Sequence, residues 1–160
     1  MAPGSVWETK KWPERYFKEL LQKSSDYSIY LIGGADDFNL CQRLINESNH
    51  PNMINCAGKI SILESCALIK EMNLVLCNDS APLHMANAVK TDVFAFFGPT
   101  VKKFGCYPYR KNDKILEIDL DCRPCAKHGG NKCPLNHHNC MQEMKPDYVI
   151  NEIENYFKTK

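Results

Sequence analysis

The chain reads as an α/β protein with a Rossmann-like parallel sheet and helices on both faces, and three observations carry that reading. Short β-rich apolar runs alternate with helix-length amphipathic runs from about Pro13 to Lys103. Each apolar run stops at a turn: Gly33-Gly34, Ala57-Gly58, Asn78-Asp79-Ser80 and Gly98-Pro99-Thr100. The spacing leaves one helix between successive strands, which is what parallel pairing requires.

The elements follow in order. Pro13 sits at a first helical position, and Tyr16, Phe17, Leu20 and Leu21 repeat with helical spacing behind it. Tyr27 to Ile32 is the first strand. Asp36 opens a second helix through Leu40, Leu44 and Ile45, and Asn52 to Cys56 is a short second strand. Ser61-Ile62-Leu63-Glu64 has the form of a capping box, so a helix should run from there to about Met72. Asn73 to Cys77 is a strand, and Ala81 to Val89 a helix with Pro82 in its first turn. Asp92 to Phe97 is the next strand, followed by a Lys- and Tyr-containing loop from Val101 to Lys114 and a strand at Ile115 to Ile118. Residues 122–140 are rich in Cys, His, Pro and Asn and show no periodicity. Residues 146–158 form a last helix with Val149, Ile150, Ile153 and Phe157 on one face.

Composition narrows the function. One domain of 160 residues, 44% hydrophobic and 24% charged, is an ordinary globular chain. A net charge of +1 argues against nucleic acid as the partner. No apolar run approaches the ~20 residues that span a bilayer, so membrane association is at most peripheral. The first thirty residues lack the pattern of an export signal. The nine cysteines are therefore expected to be cytoplasmic thiols or metal ligands, with Cys41, Cys56, Cys66 and Cys77 as small core residues.

In open α/β sheets ligands bind beyond the carboxyl ends of the strands, against helix N-termini. Asn78-Asp79-Ser80-Ala81-Pro82-Leu83-His84 places polar groups and a helix start directly after an apolar strand. Its free N–H groups suit a phosphate; alternatively, Asp79 or Ser80 simply caps the helix. Ala2-Pro3-Gly4-Ser5, with Lys10 behind it, is a loop that can bring a hydroxyl and a cation to a diphosphate. Gly33-Gly34 matches neither the dinucleotide nor the phosphate-loop motif. The cluster Cys122-x2-Cys125-x7-Cys133-x6-Cys140 supplies four thiols for a structural zinc. It reads equally as a reduced, loop-rich lid.

Taken in order, these pieces resemble the C-terminal half of glycosyltransferase family 9, the lipopolysaccharide heptosyltransferases, in their heptosyltransferase II-like branch. The resemblance rests on Ala2-Pro3-Gly4-Ser5-Val6-Trp7 with Lys10-Lys11-Trp12-Pro13, Leu31-Ile32-Gly33-Gly34, Asn55-Cys56-Ala57-Gly58-Lys59-Ile60-Ser61, Asn78 to His84, Phe96 to Thr100, Cys122-Arg123-Pro124-Cys125 and Cys133 to Met141. It implies the nucleotide-sugar domain of a GT-B enzyme that transfers heptose with inversion from ADP-heptose to a lipid A–Kdo core, without a catalytic cofactor. By position, Lys10 and Asp79 are the implied catalytic residues. Ser5 would face the diphosphate, Ile60 the adenosine, and Ser80, Ala81 and His84 the phosphate and ribose. The family usually carries Gly where this chain has Ala81.

The resemblance also implies an N-terminal domain that binds the acceptor and supplies the base. Neither that domain nor the central strand before Ala2 is seen, so a fragment is expected, inactive by itself and cytoplasmic or at the inner face of the inner membrane. The rival readings are a non-catalytic nucleotide-binding module and a zinc-dependent interaction module.

Overall fold

The protein is described from a computed structural model covering residues 1–160. Five strands and six α-helices follow one another as β1 (Ile29–Leu31), β2 (Met53–Asn55), β3 (Val75–Asn78), β4 (Val93–Phe96) and β5 (Lys114–Leu116), with α1 (Glu14–Gln22), α2 (Phe38–Ser48), α3 (Ile62–Lys70), α4 (Ala81–Val89), α5 (Asn139–Gln142) and α6 (Pro146–Lys158). Every strand pairing is parallel: β1 with β2, β3 with β4, and β4 with β5. The order is β2-β1 in one ribbon and β3-β4-β5 in the other.

Met1 and Ala2 join the two ribbons. The Met1 amine donates to the Tyr30 carbonyl at 2.7 Å. Ile32 N–H donates to Met1 O at 2.9 Å, and Ala2 N–H to Leu76 O at 2.8 Å. Ala2 also stands in parallel register with Cys77. Met1 and Ala2 thus occupy the central position between β1 and β3.

Period-two alternation sorts the strand residues between two cores. Leu76, Phe94, Phe96 and Leu116 face one side, packed with Trp12, Phe17, Leu20 and Leu21 from the N-terminal segment and α1, and with Val149 and Ile153 from α6. Val75, Cys77, Val93, Ala95 and Phe97 face the other, packed with Ile69 of α3 and Leu83 and Ala86 of α4. Trp12 stacks on Phe96 at 4.5 Å between ring centroids. Its indole N–H donates to Met144 O at 2.8 Å, satisfying the one polar atom it buries.

The expected elements are all present, and the strands are shorter than the apolar runs because a strand extends only as far as its ladder. The Ser61 capping box forms as expected: Glu64 N–H donates to Ser61 Oγ, and Ser61 N–H donates to Glu64 Oε2 at 2.7 Å. Helix α5 was not expected; four residues are too short to show a period. The apolar face of α6, which unpartnered would be an association surface, is covered by this chain's own α1 and core: Val149, Ile153 and Tyr156 are buried there. No helix is long and apolar enough to cross a membrane.

Candidate functional site

All strands point the same way, so the turns after β1, β2 and β3 collect at one edge of the sheet. There they enclose a cleft of about 650 Å³, within the range of small-molecule sites. One wall is Gly4, Ser5 and Val6. A second is Gly33, Gly34, Asp36 and Asp37, and a third is Ile60 and Ile62. The fourth is the start of α4, with Ser80, Ala81 and Pro82. Four sequence-predicted residues, Ser5, Ile60, Ser80 and Ala81, therefore share one cleft. His84 does not line it; it lies on the exposed side of α4.

The start of α4 has no side-chain cap. Ser80 Oγ instead donates backwards to Asn78 O at 3.2 Å, and Asp79 is engaged elsewhere, so the capping alternative does not describe this turn. The first turn keeps its dipole and unsatisfied N–H groups beside the cleft.

Lys10 and Asp79 do not line the cleft; they pair with each other, Asp79 being the residue before Ser80 in the chain. Lys10 Nζ is 2.6 Å from Asp79 Oδ2, with the two side chains 13% and 6% exposed. The same oxygen accepts the Thr100 hydroxyl at 2.6 Å. Removing any one of the three leaves a buried polar group short of a partner. Asn78, fully buried, fixes the approach of the N-terminal loop. Its Nδ2 donates to Pro3 O at 2.8 Å and Gly4 O at 3.2 Å, while its Oδ1 accepts Trp12 N–H at 2.9 Å.

Three functional residues lay outside the sequence-based assignment. Asn78 stood in the motif but was passed over in favour of its charged neighbours. Asp37 fills the space beside two glycines: a Cβ on Gly4 would lie 2.0 Å from its Oδ1, and one on Gly33 2.5 Å from its Oδ2. Its carboxylate also accepts Gly34 N–H at 2.9 Å, and the only trace of this in the sequence is the Gly34-to-Asp37 spacing. Arg123, inside the cysteine-rich segment, donates to the carbonyls of Gly98, Phe97, Ile118 and Thr100 and pairs with Glu117 at 2.7 Å. It fixes the turn that carries Thr100, and through it Asp79 and Lys10. No local pattern marks it.

The cysteine-rich segment forms a strap, and the zinc reading of its spacing finds no support in the placement of its side chains. Nowhere in the protein are three or more His, Cys, Asp or Glu side chains placed to hold a metal ion. Cys122, Cys125, Cys133 and Cys140 lie near enough to feel one another's charge, in different settings. Cys140 is drawn into the core on α5, where burial pushes its thiol up to about 11. Cys125 is exposed, and Cys122 and Cys133 are half-buried. Burial would raise the Cys133 thiol, but the N–H groups of His138, Leu135, His137 and Asn136 outweigh it and hold it below its ordinary value. Cys122, Cys125, Cys133 and Cys140 thus serve as strap and core residues.

The strap grips the turn that presents Lys10. Thr9 N–H donates to Gly130 O at 2.9 Å, Gly130 N–H to Thr9 Oγ1 at 2.8 Å, and His138 Nε2 lies 2.8 Å from Thr9 O.

A parallel sheet whose carboxyl edge opens on a helix start and a buried Lys–Asp pair defines a Rossmann-like ligand-binding domain. The match to glycosyltransferase family 9 (heptosyltransferase) runs over residues 1–135, and the chain belongs to that family. It is 34% identical over 164 aligned residues to lipooligosaccharide heptosyltransferase 2 of Campylobacter jejuni, covering 99% of this chain and 50% of that protein. Among solved structures it superposes on E. coli ADP-heptose LPS heptosyltransferase II with a TM-score of 0.79 at 20% identity, over 99% of this chain and 45% of that one. It also superposes on E. coli heptosyltransferase WaaC with ADP, with a TM-score of 0.72 at 19% identity, over 97% and 43%. The chain spans about half the length of the curated relatives it matches, corresponding to their C-terminal half.

Proposed function

We propose that this chain is the donor-binding half of an inverting glycosyltransferase that transfers heptose from ADP-heptose to the lipopolysaccharide inner core. The observation that carries the reading is the uncapped start of α4 beside the cleft, with Asp79, paired to Lys10, in the turn that leads into it. The names of its relatives supply the sugar and the acceptor.

The cleft walls divide the donor chemically. The α4 start and Ser5 take the diphosphate, since N–H groups and a hydroxyl donate to phosphate oxygens. Asp36 and Asp37, on the wall opposite, repel phosphate but accept hydrogen bonds from ribose or sugar hydroxyls. Ile60 and Ile62 offer an apolar surface to the adenine. As the sugar–phosphate bond breaks, negative charge grows on the departing diphosphate. Lys10, held by Asp79, and the helix start stabilise that charge through groups already in place. The acceptor hydroxyl loses its proton to a base on the other half of the enzyme, which also carries the lipid A–Kdo acceptor. The reaction takes place in the cytoplasm or at the inner face of the inner membrane. His84, exposed one helical turn beyond Ala81, stands outside the cleft lining and is given no part.

Calorimetric titration with ADP, GDP and UDP tests the reading. ADP should bind in preference to the other two, and Lys10→Ala should weaken it by about tenfold or more, the loss expected for a charge-assisted contact. Equal or absent binding of all three by folded protein would remove the donor assignment. ADP binding with no transfer after addition of an N-terminal half would leave a nucleotide-binding module.

A further inference from the structure

The cleft at the carboxyl edge is lined by one cation, and that cation is not Lys10. Asp36 and Asp37 bring negative charge to the lining, and Lys11 alone brings positive charge. The two lysines diverge because the chain turns between them. Glu8–Lys10 form a single turn of 3₁₀-helix, closed by Lys11 N–H donating to Glu8 O at 3.1 Å. Lys11 itself is extended, at φ −80° and ψ 122°. Lys10 goes inward to Asp79, and Lys11 comes out beside Ser5 and Asp37 in the cleft lining.

The backbone of Lys11 is held from both sides. Thr9 is gripped by the strap. Trp12 is buried, and its N–H donates to Asn78 Oδ1 at 2.9 Å. The long side chain of Lys11 is tied only at its tip, where Nζ pairs with Glu8 Oε1, the two side chains being 33% and 59% exposed. A surface pair of this kind contributes little and exchanges readily. Glu8 is outside the cleft lining; it belongs to a second, polar chamber of about 550 Å³ that shares Lys11, Asp36 and Asp37 with the cleft. Lys11 therefore stands at the junction of the two spaces. Breaking the buried Lys10–Asp79 pair would strand a charge away from water; releasing Lys11 from Glu8 strands none.

We infer that Lys11 is a second diphosphate-binding cation of the donor site, which exchanges Glu8 for phosphate oxygens when the nucleotide enters. This rests on the donor reading and gives the two lysines different parts. Lys10 is a fixed charge, locked to Asp79 and Thr100 in the turns that lead into and beside α4. Lys11 is a mobile charge on a fixed backbone. It reaches over bound diphosphate and shields it from Asp36 and Asp37, which would otherwise repel it.

The test titrates the full chain with ADP by calorimetry and with adenosine, which has no phosphate, by NMR. Lys11→Ala should weaken ADP about tenfold, the loss of a charge-assisted contact, and leave adenosine unchanged. Lys11→Arg keeps the charge and should retain most of the ADP affinity. Glu8→Gln removes the resting partner and should tighten ADP by about twofold, the scale of an exposed pair within one helical turn. Thermal unfolding of Lys11→Ala should match the parent, since the broken pair is exposed. If Lys11→Ala binds ADP as well as the parent or better, or loses ADP and adenosine alike, the role of Lys11 is overturned while the donor reading stands. A folded parent that binds no ADP would remove the donor reading, and the role of Lys11 with it.

Discussion

Asp37 shows how one side chain constrains residues far from it in sequence. Its carboxylate is bonded to Gly34 N–H and occupies the space a side chain on Gly4 or Gly33 would need. Gly4→Ala forces Asp37 off its bond or the N-terminal loop off Asn78, and should cost about 1–3 kcal/mol, the range for overpacking. Combining it with Asp37→Ala should recover part of that loss, so that the double variant in urea unfolding is more stable than the sum of the singles. Additive effects would mean the two groups do not meet. The two glycines before Asp36 stand out in the sequence. Their dependence on a carboxylate four residues on does not, because it is a contact across a turn.

At the scale of elements, α3 is the one helix whose start was legible residue by residue. The Ser61–Glu64 box satisfies two otherwise free N–H groups. The backbone N–H and hydroxyl of Ser61 hold the Glu64 carboxyl below its usual range. A carboxyl so lowered adds stability above its unfolded value, near 4.5, and that stability is lost as pH falls through the lower folded value. Ser61→Ala should lower the thermal midpoint by a few degrees at neutral pH, and the deficit should narrow in acid as the Glu64 half of the box is lost to the parent as well. An unchanged midpoint would assign α3's stability wholly to its packing through Ile69. Helix α5 and the cysteine-rich strap show the opposite case. Nothing periodic marks them, and their structure comes from Arg123, Thr9 and the core around Met141. The spacing of their thiols leaves ligation and a reduced strap both open, because sequence distance says nothing of which thiol is drawn into the core.

For the molecule as a whole, the buried Met1 amine at the centre of the sheet is a group whose charge burial disfavours. Burial lowers the Met1 amine from 8.0 to about 6, against the weak opposing influence of Cys77, Cys41 and Cys56. Asp26 and Glu71 are the carboxylates lining the opening between β1 and β3 that Met1 also lines. Between those two values the unfolded chain holds a proton that the folded chain releases, so stability should rise as pH climbs from 6 to 8 and fall as pH drops toward 6. A shift of that size corresponds to about 2–3 kcal/mol across the window. Chemical unfolding at several pH values should show this slope, and α-amino acetylation should flatten it. A slope that survives acetylation would belong to other groups.

The alternation of strand and helix, the Pro and capping starts, and the polar turns at strand ends all act within one turn or one strand, so they could be read from neighbouring residues. They were enough to define a doubly covered parallel sheet and to bring Ser5, Ile60, Ser80 and Ala81 to one edge, since parallel strands carry their turns to the same side. What depended on residues far apart in the chain became visible only in three dimensions. The Thr100 hydroxyl donates to Asp79 Oδ2 between the turns after adjacent strands, Arg123 holds four carbonyls, and Asp37 stands against Gly4. His84 stands outside the cleft lining, and Met1 enters the centre of the sheet. Local preference determines where an element starts and stops; which side chain is buried, paired or left facing a cleft is decided by packing between elements.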